Sequence, residues 1–272
     1  MNGLADADPV TVKADWVRRR ILTMAKTAPG IRVASSLSAV EVLCVLYYGG
    51  LVDFDAGDPR WDNRDRVILS KGHGSIAIYP ILADLGFLDM WELDHVGHDQ
   101  SRLTVIPEPT APGIETTNGS LGHGLGVACG IALGLRQLKK EQTVFVLCGD
   151  GEMNAGPVWE AVMFAARHGL DNIVLIIDDN KRSMLGDQAD IMGLAPLAEK
   201  FSVFGWQASE MDGHDLDAVH ASLKNLKAER RGAPKVVISH SVKGRGVVEL
   251  EGDPISHVRV LSPDAIDRIL EQ

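Results

Sequence analysis

The chain has 272 residues, of which 45% are hydrophobic and 24% charged, and its formal net charge is −10. This composition excludes a disordered chain, and the acidic charge argues against broad binding to nucleic acid, whose phosphates require concentrated lysine and arginine. No run of about 18 apolar residues is present to cross a membrane, and the acidic start Met1–Asp8 lacks the pattern of a secretory leader. Three cysteines (Cys44, Cys129 and Cys148) show neither CxxC nor metal-ligand spacing, so we expect a reduced, cytoplasmic protein.

The first third of the chain predicts two helices, a short strand and a further helix. The helices are Val10–Lys26 and Ala39–Tyr48, the second with Ser38 and Glu41 spaced as in a capping box. The strand Val67–Leu69 is followed by Ser70-Lys71-Gly72-His73-Gly74, which opens a helix to about Leu85. A histidine behind a glycine at a helix start can donate to an anion beside free amides; the alternative is a merely solvated loop histidine.

A long irregular segment, Trp91–Ala111, leads through the glycine-rich stretch Pro112–Gly124 into a predicted helix, Leu125–Lys140. The glycines match neither the dinucleotide-binding motif nor the P-loop, and no Gly-Lys pair occurs in the chain. These absences disfavour a nucleotide kinase or ATPase. The glycines are also compatible with close helix packing.

The chain is organised around a strand, helix, strand pattern. The apolar run Val144–Cys148 ends in Gly149-Asp150-Gly151, a helix begins at Pro157, and the apolar run Ile173–Ile177 ends in Asp178-Asp179-Asn180. Because parallel strands present their carboxyl ends at one edge, Asp150 and Asn180 are expected side by side. Carboxylate and amide oxygens suit Mg²⁺ or Ca²⁺, and a metal with few protein ligands keeps positions open for phosphate oxygens. Gly149 and Gly151 allow close approach of a bulky anion, so the inferred ligand is a metal-bound diphosphate.

The remaining chain continues the alternation of strands and helices. A loop, Ser183–Ala195, precedes a series of short elements: helix Pro196–Phe201, strand Gly205–Ala208, helix Leu216–Glu229 capped by Asp215, strand Lys235–Ser239 and helix Pro263–Leu270. We therefore predict one α/β domain over residues 1–272, with a doubly wound, mostly parallel sheet and helices on both faces.

The motif around Asp150 resembles a known family. Gly149-Asp150-Gly151, followed at this spacing by Asp179-Asn180, resembles the thiamine diphosphate motif, and its flanks are similar to the amino-terminal, diphosphate-binding (PP) domain of transketolases. The resemblance implies that the Asp150 carboxylate, the Asn180 amide and the main-chain carbonyl of Arg182 bind Mg²⁺ or Ca²⁺. It also implies that Gly149 and Gly151 belong to the cofactor site.

Three further segments strengthen the resemblance. The SKGHG loop resembles the transketolase loop whose histidine, here His73, contacts the cofactor diphosphate. The segment ending Gly119-Ser120-Leu121 resembles the one that packs on the thiamine ring, with Gly119 and Leu121 in contact. Ser241–Gly246 resembles the KGxG loop, and His257 stands where the family has a histidine near the diphosphate and the reacting carbon. His73 and His257 are thus the implied catalytic histidines.

The resemblance spans about Val10 to Gln272 but only the first of the family's three domains. It implies that a partner chain carries the pyrimidine-binding domain, that the assembly is an α₂β₂ heterotetramer, and that this chain alone is inactive. The implied reaction is transfer of a two-carbon unit from a small-molecule donor to an aldehyde or ketone acceptor. The family often links paired active sites through two acids; Glu160, predicted in the first helical turn, is kept, but Ala155 occupies the other position.

Two departures bear on the donor. Arg32 stands where transketolases have an early histidine, and Ile106 replaces the histidine that binds the donor's terminal hydroxyl. An apolar side chain there should weaken the preference for a hydroxylated unit, so a 2-oxo acid such as pyruvate is the hypothesised donor, with Arg32 available to an anion. Alternatives are a 2-oxo acid dehydrogenase E1 or deoxyxylulose phosphate synthase-like subunit, a non-catalytic regulatory paralogue, and a flavodoxin-like binding module.

Overall fold

The computed structural model describes residues 8–271, so that most of the acidic start Met1–Asp8 lies outside the described part. Five strands form one sheet in the order β1-β2-β3-β5-β4, and every pairing is parallel. The strands are β1 (Arg66–Ile68), β2 (Val144–Gly149), β3 (Ile173–Asp179), β4 (Gln207–Asp212) and β5 (Lys235–His240).

Helices connect and cover the strands. They are α1 (Pro9–Thr27), α2 (Val33–Leu37), α3 (Val40–Tyr48), α4 (Ile78–Asp84), α5 (His123–Gln137), α6 (Gly156–Arg167), α7 (Gln188–Met192), α8 (Leu197–Val203), α9 (Leu216–Ala228) and α10 (Pro263–Leu270). Three 3₁₀ segments supplement them: Gly72–Ala77, Met90–His95 and Asp150–Asn154. Among the helices of residues 8–271, none combines the length and apolarity that a membrane crossing requires.

The sheet is buried on both faces, as its alternating side chains require. Phe145 and Leu147 of β2 pack in a core with α1, α3, α4 and α9. Val146 and Cys148 of the same strand pack in a second core with α5, α6 and α8. The predicted doubly wound, parallel α/β fold is confirmed. All three cysteines are buried and free, as expected.

Several local expectations were wrong. Ser38 does not cap α3, because the helix begins at Val40 with Ala39 at its N-cap; Ser38 Oγ instead accepts from Lys71 Nζ at 3.0 Å and donates to Asp178 Oδ2 at 2.7 Å. The fourth strand begins two residues later than expected, since Gly205 (φ 87°) turns the chain first. The loop after Arg182 contains the short helix α7. Asp215 does cap α9, accepting from the backbone N–H groups of Asp217 and Ala218.

The register of the sheet places the predicted site residues at one edge. Gly149 of β2 pairs with Asp178 of β3, so Asp150 and Asn180 both follow at the carboxyl ends of neighbouring strands. The loops after β1 and β5 leave the sheet at the same edge, because all strands run parallel. Four connecting segments therefore converge where the sequence predicted a site.

Candidate functional site

A cavity of ≈ 290 Å³ opens at this edge of the sheet. Its wall includes all but one of the predicted site residues: His73, Leu121, Gly149, Asp150, Gly151, Asn180, Arg182 and His257. A larger neighbouring cavity of ≈ 600 Å³ shares Asp150 and Arg182 but none of the others. The smaller cavity is therefore the candidate site.

Gly119 is absent from the cavity wall, although its segment reaches it through Leu121. A methyl group on Gly72 would lie 3.0 Å from the Gly119 main chain, so the two loops are in close backbone contact. Gly119 itself has φ 103°, which side-chain-bearing residues rarely adopt. The glycines thus hold the Leu121 segment against the His73 loop.

Asp150 contains a buried oxygen that lacks a partner. The side chain begins a 3₁₀ turn after β2 and is 4% exposed; its Oδ1 accepts from the Gly151 N–H at 2.8 Å. Its Oδ2 is buried and receives no hydrogen bond from the described residues. Burial, reinforced by the nearby Asp178 carboxylate, raises the pKa of Asp150 to about 7. A buried carboxylate oxygen with no donor is the arrangement that a cation would satisfy.

Asn180 and Arg182 lie beside Asp150 on the loop after β3. Asn180 Nδ2 donates to Asp178 Oδ2 at 3.0 Å, and its Oδ1 accepts from the Arg182 N–H at 3.1 Å. Lys181 between them has φ 63°, a turn that brings Arg182 back to the cavity. The main-chain carbonyl of Arg182 accepts from Lys243 Nζ at 3.0 Å.

No group of three or more His, Cys, Asp or Glu side chains converges to hold a metal within residues 8–271. The ligands that the resemblance implies are instead one carboxylate, one amide and one main-chain carbonyl, and the same cavity wall includes Asn154, whose buried Oδ1 also has no hydrogen-bond partner among the described residues. Such a donor set fits a hard cation that takes its remaining ligands from phosphate or water.

Two histidines and a lysine form a directed chain of hydrogen bonds. Lys243 Nζ lies 2.9 Å from His257 Nδ1, and His257 Nε2 lies 3.0 Å from His73 Nδ1. Since an ammonium only donates, His257 Nδ1 accepts, its Nε2 carries the proton, and His73 accepts in turn at Nδ1. Neutral His73 then carries its proton on Nε2, which can donate to an anion.

The electrostatic surroundings keep both imidazoles neutral. Burial and the positive charges of Lys243, Arg32 and Lys71 lower the pKa of His257 to about 3, with His73 contributing. The pKa of His73 is lowered by burial, Arg32 and the same lysines. Arg32, half-buried at the start of α2, therefore lies close enough to act on both rings.

Glu152 ties three of the loops together. This carboxylate, 3% exposed, accepts from Ser70 Oγ, from the Gly122 N–H at 2.8 Å and from the Gly149 N–H at 3.3 Å. The sequence did not predict this role of Glu152, because two of its partners, Ser70 and Gly122, are distant in sequence. The local signal was an acid next to the Gly-Asp-Gly turn.

Sequence reasoning also missed a buried ion pair, Lys71 with Asp178. Asp178 is 1% exposed at the end of β3, and Lys71 lines the cavity. The signal was available, because an acid at the end of an otherwise apolar buried strand requires a cationic or donor partner. Lys243 lay within a recognised loop but was not singled out.

Two other positions that the sequence singled out, Glu160 and Ile106, are absent from the cavity wall. Glu160 is exposed on α6 and lies beyond its first turn, which corrects the expectation. Ile106 packs on the His73 loop and the Gly119 segment: methyl groups on Gly72 and Gly119 would lie 3.3 and 3.4 Å from its side chain.

Comparison with known proteins agrees with this geometry. Residues 19–272 match the family described as transketolase, thiamine diphosphate binding domain. The chain is 36% identical over 267 residues to one subunit of the apulose-4-phosphate transketolase of Actinobacillus succinogenes, and the match covers 97% of this chain and 96% of that protein. It is 36% identical over 233 residues to a 6-deoxy-6-sulfo-D-fructose transketolase subunit of Clostridium sp., covering 83% and 82%.

A crystal structure of transketolase from Campylobacter jejuni matches with a TM-score of 0.91 at 28% identity. The match covers 98% of this chain but 43% of that one. The chain thus corresponds to less than half of that transketolase. It belongs to the transketolase family, as the amino-terminal, thiamine diphosphate-binding part of such an enzyme, and the resemblance found in its motifs is confirmed.

Proposed function

We propose that the cavity binds thiamine diphosphate through a divalent cation, Mg²⁺ or Ca²⁺, held by the Asp150 carboxylate, the Asn180 amide oxygen and the Arg182 carbonyl. The observation that carries this proposal is the unpartnered Asp150 Oδ2, buried in the same cavity as the other two groups. A cation would neutralise this oxygen and link it to the diphosphate.

The remaining residues supply donors and shape. His73 offers its Nε2–H to the anion, while Gly149 and Gly151 keep the β2 end of the cavity free of side chains. Leu121, 51% exposed, and the Gly119 segment offer an apolar and main-chain surface to the cofactor ring. The bound cofactor would supply the carbon nucleophile and the electron sink for C–C cleavage.

His257 and His73 are the proposed catalytic pair. Their rings meet at 5.1 Å between centroids, edge to face, inside the cavity. Both ring nitrogens of His257 are engaged, by Lys243 and by His73, so the proton on His73 Nε2 is the one that the pair directs at a bound anion or substrate oxygen. Because both rings are neutral, the pair offers this donor without adding a positive charge beside Lys243 and Arg32.

We further propose that a second polypeptide with a pyrimidine-binding domain completes the active site, in an α₂β₂ assembly. Relatives of matching length are named as transketolase subunits, and this chain covers 43% of a transketolase of known structure. The proposed enzyme transfers a two-carbon unit to an aldehyde or ketone acceptor, and this chain alone is inactive.

The donor that we propose is a 2-oxo acid such as pyruvate. Ile106 presents hydrocarbon beside Gly72 and Gly119, where a histidine would offer a polar partner to a hydroxyl. Arg32 provides a positive charge for a carboxylate. The names of the relatives favour a rival, a phosphorylated or sulfonated ketose.

Calorimetric titration of the purified chain with thiamine diphosphate, with and without Mg²⁺, tests the cofactor proposal. We expect binding that requires Mg²⁺, is lost in Asp150→Asn and is retained in Asp264→Asn, an exposed acid in α10. Binding that is equally strong without metal, or unaffected by Asp150→Asn, would contradict it.

Assays of the reconstituted pair with pyruvate and xylulose 5-phosphate as rival donors test the reaction. Exclusive use of the ketose would refute the donor assignment and leave the transferase assignment intact. Cofactor binding without turnover of either donor would favour a regulatory paralogue.

A further inference from the structure

The hydrogen bonds of Asp178 restrict the orientation of the Asn180 side-chain amide. Asp178 Oδ2 accepts from Lys71 Nζ, from Ser38 Oγ at 2.7 Å and from Asn180 Nδ2 at 3.0 Å, while Oδ1 accepts from Ser241 Oγ. Every one of these partners donates, and an ionised carboxylate only accepts.

The consequence concerns the two ends of the Asn180 amide. An amide can rotate by half a turn and exchange its oxygen and nitrogen with little change in shape. Beside Asp178, the reversed orientation would set an amide oxygen against a carboxylate oxygen inside a buried site. Only the observed orientation is favourable, and it turns the Asn180 oxygen away from Asp178, towards the Arg182 N–H.

Lys71 keeps this carboxylate charged and fixed. Its ammonium group has three N–H bonds, which it donates to the Ser35 carbonyl at 2.8 Å, to Ser38 Oγ at 3.0 Å and to Asp178. Its donors are therefore all used within the protein, although its side chain lines the cavity. Lys71 thus acts as the counter-charge of Asp178.

We propose that Asp178, fixed by Lys71, is a positioning residue that presents the Asn180 amide oxygen to the divalent cation. This inference rests on the proposed function, since it assigns a role toward the same metal. It adds that a buried ion pair, which contributes no ligand, determines whether the loop after β3 offers an oxygen or an N–H group.

The test removes both charges together, because removal of one would leave an unpaired buried charge. In Lys71→Met/Asp178→Asn, residue 178 can donate as well as accept, so the Asn180 amide loses the charged acceptor that penalises its reversal and is held mainly by the Arg182 N–H. We expect Mg²⁺ affinity, titrated at a fixed concentration of thiamine diphosphate, to fall by about 10- to 100-fold, as for loss of other groups that orient metal ligands.

A third substitution separates orientation from general damage. Adding Asn180→Asp to the double variant offers an oxygen in either orientation, and we expect it to restore most of the lost affinity. The control is Arg64→Met/Glu115→Gln, which removes another largely buried ion pair, joined at 2.7 Å, away from the cavity. That control should leave Mg²⁺ affinity unchanged.

Unchanged affinity in the double variant, or no recovery in the triple variant, would overturn the inference. If wild-type protein does not bind Mg²⁺ with thiamine diphosphate, the proposed function itself fails; if it binds and the double variant binds equally, only the positioning role fails. A measurement on wild-type protein covers the case in which the variants do not fold. The side-chain amide protons of Asn180 should exchange with solvent far more slowly than those of the exposed Asn225, and equal rates would overturn the inference.

Discussion

Replacing Asp150 by asparagine should stabilise the metal-free protein at alkaline pH while abolishing its metal binding. Asp150 is buried with one unpartnered oxygen, and the folded state raises its pKa from 3.8 to about 7. Between these values the folded state binds more protons than the unfolded state, so stability falls as pH rises through this window and stays low above it. Asparagine has nearly the same shape and carries no charge.

The magnitude follows from the pKa. One pKa unit corresponds to about 1.4 kcal/mol, so ionised Asp150 destabilises the metal-free fold by up to about 4 kcal/mol at pH 8. At pH 5 Asp150 destabilises the metal-free fold by about 1.5 kcal/mol, because the folded state retains the proton there while the unfolded state loses it. The buried amide nitrogen of asparagine lacks a partner and costs about 1–3 kcal/mol at either pH. The stability of Asp150→Asn relative to wild type should therefore rise by about 2.5 kcal/mol from pH 5 to pH 8, ending above wild type.

Urea unfolding in EDTA at pH 5, 6, 7 and 8 measures this difference. Asp264→Asn, at an exposed acid of α10, is the matched control for the loss of one carboxylate. A difference between Asp150→Asn and wild type that does not change with pH would refute the reasoning, because the carboxylate would then not be held in an unfavourable environment. Saturating Mg²⁺ and thiamine diphosphate should reverse the order, since ligand stabilises only the protein that binds it.

Three further predictions concern the loops around the cavity. Because the folded state lowers the pKa of His257 to about 3, the free energy of unfolding should fall as pH drops below about 6.5, the pKa of an unperturbed histidine. In urea unfolding, His257→Gln should therefore lose less stability than wild type between pH 7.5 and pH 5. Gly122 has φ 85°, and an added Cβ would lie 2.8 Å from Ala155 Cβ. Gly122→Ala should therefore lower the free energy of unfolding by about 1–3 kcal/mol, whereas Gly126→Ala, in open space on α5, should raise it by about 0.5–1 kcal/mol; equal effects would contradict the assigned strain. Glu152→Gln places an NH₂ group where an oxygen accepts backbone N–H bonds, and should speed amide hydrogen exchange at the two glycines that Glu152 holds while leaving β5 unchanged.

The sequence predicted the parts of the site that depend on local pattern. Asp150 and Asn180 each follow a buried apolar strand directly, so a parallel sheet was enough to bring them to one edge. The strand bounds were accurate where both faces are apolar, as in β2 and β3. The edge strand β4 was harder to locate, because it carries Glu210 and Asp212 and is only partly buried.

The contacts that the sequence did not predict depend on tertiary geometry. Lys71 and Asp178 are separated by 107 residues and meet because β1, β2 and β3 lie side by side with their carboxyl ends at one edge. Ser38 matched a capping pattern, yet α3 begins at Val40 with Ala39 at its N-cap, and Ser38 Oγ accepts from the Lys71 ammonium while donating to Asp178. The hydrogen-bond order from Lys243 through His257 to His73 likewise requires the segment between β5 and α10 to meet the loop after β1.

A crystal grown with thiamine diphosphate and Mn²⁺ in place of Mg²⁺ would test the central claim most directly, by locating the metal from its anomalous scattering. We expect one strong peak within about 2.5 Å of Asp150 Oδ2, Asn180 Oδ1 and the Arg182 carbonyl oxygen. A peak bound by other residues, or cofactor bound in the cavity without metal, would contradict it.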